Sequence, residues 1–133
     1  MSKQIYPAVF HHDEDGYWVE FPDLPGCFTD GDTLEETMSM AADALGLYLS
    51  SAKEDGKTVP PPSDPADVTF EGRGFVSPVA YDEAAYLRRT DTRAVKKTLT
   101  IPGWLDTLAK EHNLNFSNLL QNAIRRELHL EHA

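Results

Sequence analysis

The chain has 133 residues, enough for one domain or for a small domain with an accessory module. So short a chain buries only one modest core, which favours a homodimer or a higher oligomer. It holds one cysteine, no apolar run near the roughly 18 residues of a membrane span, and no signal-peptide pattern. We therefore expect a cytoplasmic protein with no membrane partner.

The formal net charge of -10 is distributed unevenly along the chain. Residues 1–92 hold 6 Lys/Arg and 18 Asp/Glu, a net charge of -12, whereas residues 93–133 hold 6 and 4, a net charge of +2. An acidic body repels nucleic acid and attracts a basic protein or a cation, while a basic tail can contact phosphate. Two regions of opposite charge predict two kinds of partner.

Residues 3–22 predict a β-hairpin. The stretches KQIYPAVFHH and GYWVEFP are rich in aromatic and β-branched residues, and the polar turn DEDG separates them. Alternation puts Val19 and Phe21 on one face of the second strand and Trp18 on the other. Pro7 has no amide donor, which predicts that the first strand lies at a sheet edge or carries a bulge.

A short third strand and a long amphipathic helix follow the hairpin. Thr33 and Glu36 have the spacing of a capping box, and apolar residues then recur with a helical period up to Gly56. The proline-rich residues 57–67 predict a loop, and VTF and FVSPVAY predict one or two further strands. The expected fold class is α+β: residues 1–81 form a β-β-β-α-β domain with the helix packed on the sheet.

The rest of the chain predicts a second module. Residues 82–94 have no clear period and indicate a linker or a short helix. Residues 95–133 then read as a strand, VKKTLTIP, followed by two amphipathic helices, which is too small a unit to bury a core alone. A simpler interpretation makes VKKTLTIP an edge strand of the first sheet, with the two helices packed on it.

The order strand, helix, helix over residues 95–130 resembles the ribbon-helix-helix DNA-binding module. In such modules one strand from each of two chains forms an antiparallel ribbon that enters the major groove. Alternation along the strand turns Leu99 and Ile101 toward the helices, and Lys97 lies on the same side of the strand as these two residues. Lys96 lies on the outward side and is therefore the favoured base contact. Ser117 is predicted to cap the second helix, where exposed amides can hold a phosphate. The residues expected to contact DNA are Lys96, Thr98, Thr100, Lys97, Ser117 and Asn118.

The stretch YPAVFHHDEDGYWVEFPDLPGCFTDGDTLEET and the long helix that it leads into resemble the HicB antitoxin family, across nearly 50 residues. The resemblance implies a partial ribonuclease-H-like domain joined to a ribbon-helix-helix. It also implies a role: binding and silencing HicA, a small basic mRNA-cleaving toxin, and repressing the operon of both proteins. The acidic body suits a basic partner. The residues expected to contact the toxin are Asp13, Glu14, Asp15, Asp23, Asp30 and Asp32.

Two other functions stay open at this point. A metal-dependent ribonuclease would need a carboxylate set such as Asp13, Asp15, Glu20 and Asp23, but a turn is a poor place for such a site. A stand-alone repressor could instead sense a small ligand in a helix-on-sheet cleft. Cys27 has neither a partner cysteine nor a basic neighbour, which favours a buried residue over a nucleophile. No catalytic residue, metal site or cofactor is predicted.

Overall fold

The computed structural model describes residues 3–130, which form two units that divide between Thr90 and Asp91. In the first unit four strands make one antiparallel sheet in the order β3-β2-β1-β4. The strands are β1 (Lys3–Asp13), β2 (Gly16–Glu20), β3 (Phe28–Gly31) and β4 (Gly74–Asp82), and the helices are α1 (Leu34–Glu54) and α2 (Glu83–Thr90). The predicted β-β-β-α-β order is confirmed, although VTF forms no strand. Within residues 3–130, no helix combines the length and apolarity that crossing a bilayer requires.

The predicted hairpin joins β1 and β2 through a two-residue turn. Asp13 pairs with Gly16, and the Asp13 Oδ1 atom accepts a hydrogen bond of 2.9 Å from the Asp15 amide. Gly16 has a φ of 130°, and a Cβ atom there would lie 2.7 Å from the carbonyl oxygen of Gly31. Glycine at this position therefore lets the turn close beside β3.

The position of Pro7 corrects one expectation, because β1 is a central strand without a bulge at that residue. β4 pairs with β1 along its length and sets Pro78 opposite Pro7, whereas the pairing with β2 begins only at Val9. Pro7 thus has a neighbouring strand on one side only, and there it faces a second residue without an amide hydrogen. A central strand tolerates proline at such a position because no donor is required of it.

The core lies between α1 and one face of the sheet, the inner face. Alternate strand residues, including Tyr6, Phe10 and Val19, pack there against Leu45 and Leu49 of α1. Burying a large apolar side chain stabilises a fold by about 1.5–3 kcal/mol, so this layer supplies most of the stability of the unit. The predicted alternation in β2 is confirmed, since Val19 and Phe21 are buried and Trp18 is 40% exposed.

The N-terminus of α1 carries the predicted cap. Thr33 is in an extended conformation, and its Oγ1 atom accepts a hydrogen bond of 3.2 Å from the Glu36 amide. The Glu36 carboxylate in turn accepts a hydrogen bond of 3.3 Å from the amide of Asp32, one residue before the cap. Two amide groups at the start of the helix are therefore satisfied by side chains.

Thr33→Ala should lower the free energy of unfolding by about 1 kcal/mol, because it removes the acceptor for the Glu36 amide. Thermal unfolding followed by circular dichroism measures the change. Ser39→Ala, an exposed substitution within the same helix, is the control and should have no effect or stabilise slightly, since alanine has the higher helix propensity. A Thr33→Ala variant as stable as the parent would show that the cap contributes nothing.

Helix α2 belongs to the first unit and lies in the segment expected to be a linker or a short helix. The Tyr86 ring lies over Gly46 of α1, where a Cβ atom would come within 2.5 Å of Tyr86 Cδ1. Lys53 and Glu83 form an ion pair of 2.7 Å between α1 and α2, and Arg89 pairs with Asp43. The linker is therefore short, because regular structure in the first unit continues to Thr90.

The opposite side of the sheet, the outer face, is only partly covered. The segment after α1 includes a short 3-10 helix, Pro65–Asp67, that packs against β1 and β4. Val9 is buried on this side, whereas Trp18 on β2 and Phe28 on β3 remain 40% and 68% exposed. The β2–β3 half of the outer face is thus open.

The second unit contains two helices, α3 (Gly103–Glu111) and α4 (Phe116–Glu127). Asn113 has a φ of 53° in the turn between them, a conformation that asparagine tolerates. The cap of α4 corrects the prediction for Ser117: Asn115 is the N-cap and accepts a hydrogen bond of 3.0 Å from the Asn118 amide. Ser117 instead lies inside the helix, where its Oγ atom accepts from the Gln121 side chain.

Residues 91–102 carry no regular secondary structure. The predicted strand VKKTLTIP is therefore absent from the single chain, because a strand is held by a neighbouring strand and none of the described strands pairs with it. The same fact excludes the interpretation of this segment as a fifth strand of the first sheet.

Arg93 forms a bidentate ion pair with Asp91, and these hydrogen bonds lower the pKa of Asp91 to about 2.

Candidate functional sites

Five of the six predicted toxin-contacting carboxylates lie at one end of the sheet. The hairpin turn meets the end of β3 because Tyr17 pairs with Gly31. All five side chains belong to exposed residues. We call this set the acidic rim: Asp13, Glu14, Asp15, Asp30 and Asp32.

Asp23 does not belong to the acidic rim. It follows β2 at the opposite end of that strand, and its carboxylate accepts hydrogen bonds from the amide and the hydroxyl of Ser63, at 2.8 and 2.6 Å. Asp23 therefore fixes the segment after α1 to the β2–β3 loop. Sequence proximity suggested a shared rim, but an extended strand of five residues separates the two ends by about 16 Å.

The carboxylates considered for a nuclease site are not assembled. Asp13 and Asp15 lie at the hairpin, Asp23 lies at the other end of β2, and the Glu20 carboxylate is 2.9 Å from His11 Nε2. Among residues 3–130, no group of three or more histidine, cysteine or acidic side chains is arranged to hold a metal ion. His11 and His12 face opposite sides of the sheet, stacked on Trp18 and Tyr17 respectively.

Cys27 is buried, and its Sγ atom lies 3.6 Å from the carbonyl oxygen of Ala44. Burial raises the pKa of the Cys27 thiol to about 11, so the nucleophilic thiolate is scarce at neutral pH. A groove of about 400 Å³ beside it runs between α1 and residues 57–60. This groove is the cleft that a ligand-sensing repressor would use.

Trp18 is a candidate contact residue that was not predicted. Its indole stacks on the His11 ring with a centroid distance of 3.8 Å and an interplanar angle of 12°. The alternation in β2 placed Trp18 opposite the core residues, but large aromatic residues are usually buried and the sequence does not show what covers the outer face.

In the second unit a groove of about 1040 Å³ runs between the irregular segment and α4. Leu99 and Ile101 line it together with α4 residues such as Leu119, Leu120 and Ile124. Leu99 is 65% exposed and Trp104 is 67% exposed, and Ala109 is the one buried apolar side chain in the described part of this unit. The apolar face of the unit is therefore uncovered in the single chain.

The six predicted DNA-contacting residues lie on this unit and are all exposed. Lys96 and Lys97 both line the groove, whereas Thr98 and Thr100 lie outside its lining. Ser117 and Asn118 occupy the first turn of α4. The segment forms no strand, and the groove lining includes Lys96, which the predicted alternation turned outward, together with Leu99 and Ile101.

Comparison with known sequences defines the class of protein. The family model described as the HicB-like antitoxin of bacterial toxin-antitoxin systems matches residues 6–124. Antitoxin HicB 2 of Photorhabdus laumondii is 44% identical over 72 residues, which cover 53% of this chain and 52% of the relative, so the match spans about half of that protein. An uncharacterized 14.9 kDa protein of Haemophilus phage HP1 is 33% identical over 104 residues, covering 76% and 75% of the two chains.

Solved structures agree with this assignment. A toxin-antitoxin complex from Streptococcus pneumoniae contains a chain with a TM-score of 0.59 and 31% identity, covering 95% of this chain and 99% of that one. A HicA3 and HicB3 toxin-antitoxin complex gives a TM-score of 0.51 at 28% identity, covering 59% of this chain and 99% of the matched one. These matches indicate a non-enzymatic regulatory protein.

The chain belongs to the HicB-like antitoxin family of bacterial toxin-antitoxin systems.

Proposed function

We propose that this protein is a cytoplasmic antitoxin that neutralises a HicA-like, basic, mRNA-cleaving toxin by direct binding and represses its own operon by binding operator DNA. The observation that carries the proposal is the structural match to a chain of a HicA3 and HicB3 toxin-antitoxin complex. The first unit supplies the toxin-binding surface and the second unit supplies dimerisation and DNA binding.

The acidic rim supports the first half of the proposal. A toxin that holds RNA needs a basic surface, and five exposed carboxylates at one sheet end attract such a surface before contact is made. Asp23 is left out of this role, because its carboxylate holds Ser63. The net charge of -12 over residues 1–92 acts in the same direction.

Co-expression with the neighbouring toxin gene tests this half: the chain should restore growth and co-purify with the toxin. The double variant Asp15→Lys, Asp32→Lys should slow toxin association by about tenfold at low salt, and by less at 0.1 M salt, where screening acts beyond about 10 Å. Stopped-flow or surface-plasmon measurements give the association rates.

The matched control is Glu54→Lys, Asp55→Lys, which makes the same charge change at the far end of α1, about 30 Å away for a helix of 21 residues. This variant should associate at nearly the parental rate. Equal slowing in both variants would show that overall charge, and not the acidic rim, governs the encounter. Failure of the parent protein to bind or rescue would contradict the proposed function.

The exposed apolar face of the second unit supports the other half of the proposal. A unit of this size whose described residues include one buried apolar side chain gains too little from burial to be stable alone, so a second copy is the natural cover. If residues 95–101 of two chains pair, both segments gain ladder partners, and Lys96, Thr98 and Thr100 face outward toward the major groove. In this proposal Lys97, Ser117 and Asn118 contact phosphates.

A further inference from the structure

We propose that Trp18 is the apolar anchor of the toxin interface, buried when the basic surface of the partner closes over the β2–β3 half of the outer face. The inference rests on the proposed function and names a surface beyond the acidic rim. We call this surface the Trp18 patch: His11, Trp18, Glu20, Phe28 and Asp30.

The Trp18 side chain is held in place before any partner arrives. The His11 ring stacks on one face of the indole, and the Glu20 carboxylate fixes His11 through a contact of 2.9 Å to Nε2. Phe70 also meets the His11 ring edge-on, with a centroid distance of 6.1 Å. A tryptophan packed in this way loses less conformational entropy on binding than a side chain without such contacts, which favours Trp18 as an interface anchor.

The patch is apolar at its centre and acidic around it. Trp18 lies directly across from Asp30 in the pairing of β2 with β3, and Phe28 lies across from Glu20. Trp18 and Phe28 are 40% and 68% exposed, and Phe28, at the start of β3, also lines the groove beside Cys27. A lysine or arginine of the partner that pairs with Asp30 would lie beside the indole, where a cation is also attracted to the ring.

The patch is continuous with the acidic rim. Asp30 belongs to both sets, and Trp18 is two residues along β2 from the hairpin glycine. The 3-10 helix packs against β1 and β4, and the exposed Trp18 and Phe28 lie on the β2–β3 half, beside the carboxylates that attract the partner. Charge complementarity therefore selects a basic protein surface as the occupant, in agreement with the net charge of -12 over residues 1–92.

Fluorine NMR of the full-length protein labelled with 5-fluorotryptophan tests the proposal. The chain contains two tryptophans, and the Trp18→Phe and Trp104→Phe variants assign the two resonances. On addition of the unlabelled cognate toxin, the Trp18 resonance should move, and its displacement between H2O and D2O should shrink as the indole leaves water. An unchanged solvent displacement at Trp18 in the saturated complex would overturn the inference.

A binding measurement complements the spectrum. Trp18→Ala should raise the Kd for toxin about 30-fold or more, as expected for a tryptophan anchor, whereas Met38→Ala, on the exposed side of α1 and 52% exposed, should change it by less than about threefold. Circular dichroism shows whether each variant is folded. If Trp18→Ala does not fold, the NMR experiment, which uses the unsubstituted protein, decides the inference. Equal affinities for folded Trp18→Ala and the parent would overturn the inference. Absence of binding by the parent would instead contradict the proposed function.

Discussion

Replacing Leu99 and Ile101 together with aspartate should convert the protein from a dimer to a monomer and abolish operator binding. Both side chains line the groove along α4, and Leu99 is 65% exposed in the single chain. A second copy that covers them would bury apolar surface and supply the strand partner that VKKTLTIP lacks. Two carboxylates placed there would be unpaired and buried in the dimer, which costs several kcal/mol.

Light scattering coupled to gel filtration at micromolar concentration measures the change. Leu47→Asp, on an apolar side chain of α1 that is 62% exposed, is the control and should remain a dimer. A monomeric parent protein, or a dimeric Leu99→Asp, Ile101→Asp variant, would contradict assembly through residues 95–101. Toxin binding should survive in the monomer, because the acidic rim and the Trp18 patch both lie in the first unit.

The largest effect on DNA binding by a folded dimer should come from Lys96, Thr98 and Thr100. Each alanine substitution should weaken operator binding by about 1–3 kcal/mol, the range for a side chain that reads a base edge in the major groove. Loss of Lys96 should also reduce the dependence of binding on salt, because fewer counterions are released. Gel-shift titrations with operator and unrelated DNA at two salt concentrations measure both quantities.

Lys110→Ala provides a control within the same unit. Lys110 forms an ion pair of 3.0 Å with Asp106 in α3, so its charge is already partly compensated. This variant should bind operator DNA nearly as well as the parent. If the Lys96, Thr98 and Thr100 triple variant changes neither affinity nor sequence preference, the outward face of the segment does not read DNA.

The sequence was most informative where local chemistry decides the structure. The DEDG turn, the Thr33 cap and the alternation of Val19 and Trp18 each depend on a few neighbouring residues, and the structure confirms them. The period of α1 follows from its contact with a single apolar layer. For these features the local preference and the tertiary packing favour the same conformation.

The sequence was less informative where a partner segment decides. Pro7 is accepted in a central strand because the pairing of β1 with β2 begins only at Val9 and because Pro78 lies opposite Pro7 on β4, and neither fact is visible from the local sequence. The Asp23 carboxylate accepts a hydrogen bond from Ser63, which is forty residues away in the sequence. Whether VKKTLTIP forms a strand depends on a neighbouring strand that can pair with its backbone, and the first sheet does not provide one. The error in the α4 cap, which is Asn115 and not Ser117, has a local cause: either side chain can accept a hydrogen bond from a backbone amide at the start of a helix.

The contact of Tyr86 with Gly46 determines where a tail can be exchanged. A chimera in which everything after Tyr81 is replaced would lose α2 and would expose Gly46 of α1, which the Tyr86 ring covers. It would also lose the ion pairs Lys53–Glu83 and Arg89–Asp43. A junction after Thr90 keeps all three contacts and cuts a segment without regular structure. Recombination that replaces the second unit is therefore best tolerated at residues 91–94, and α2 should be kept with the first unit.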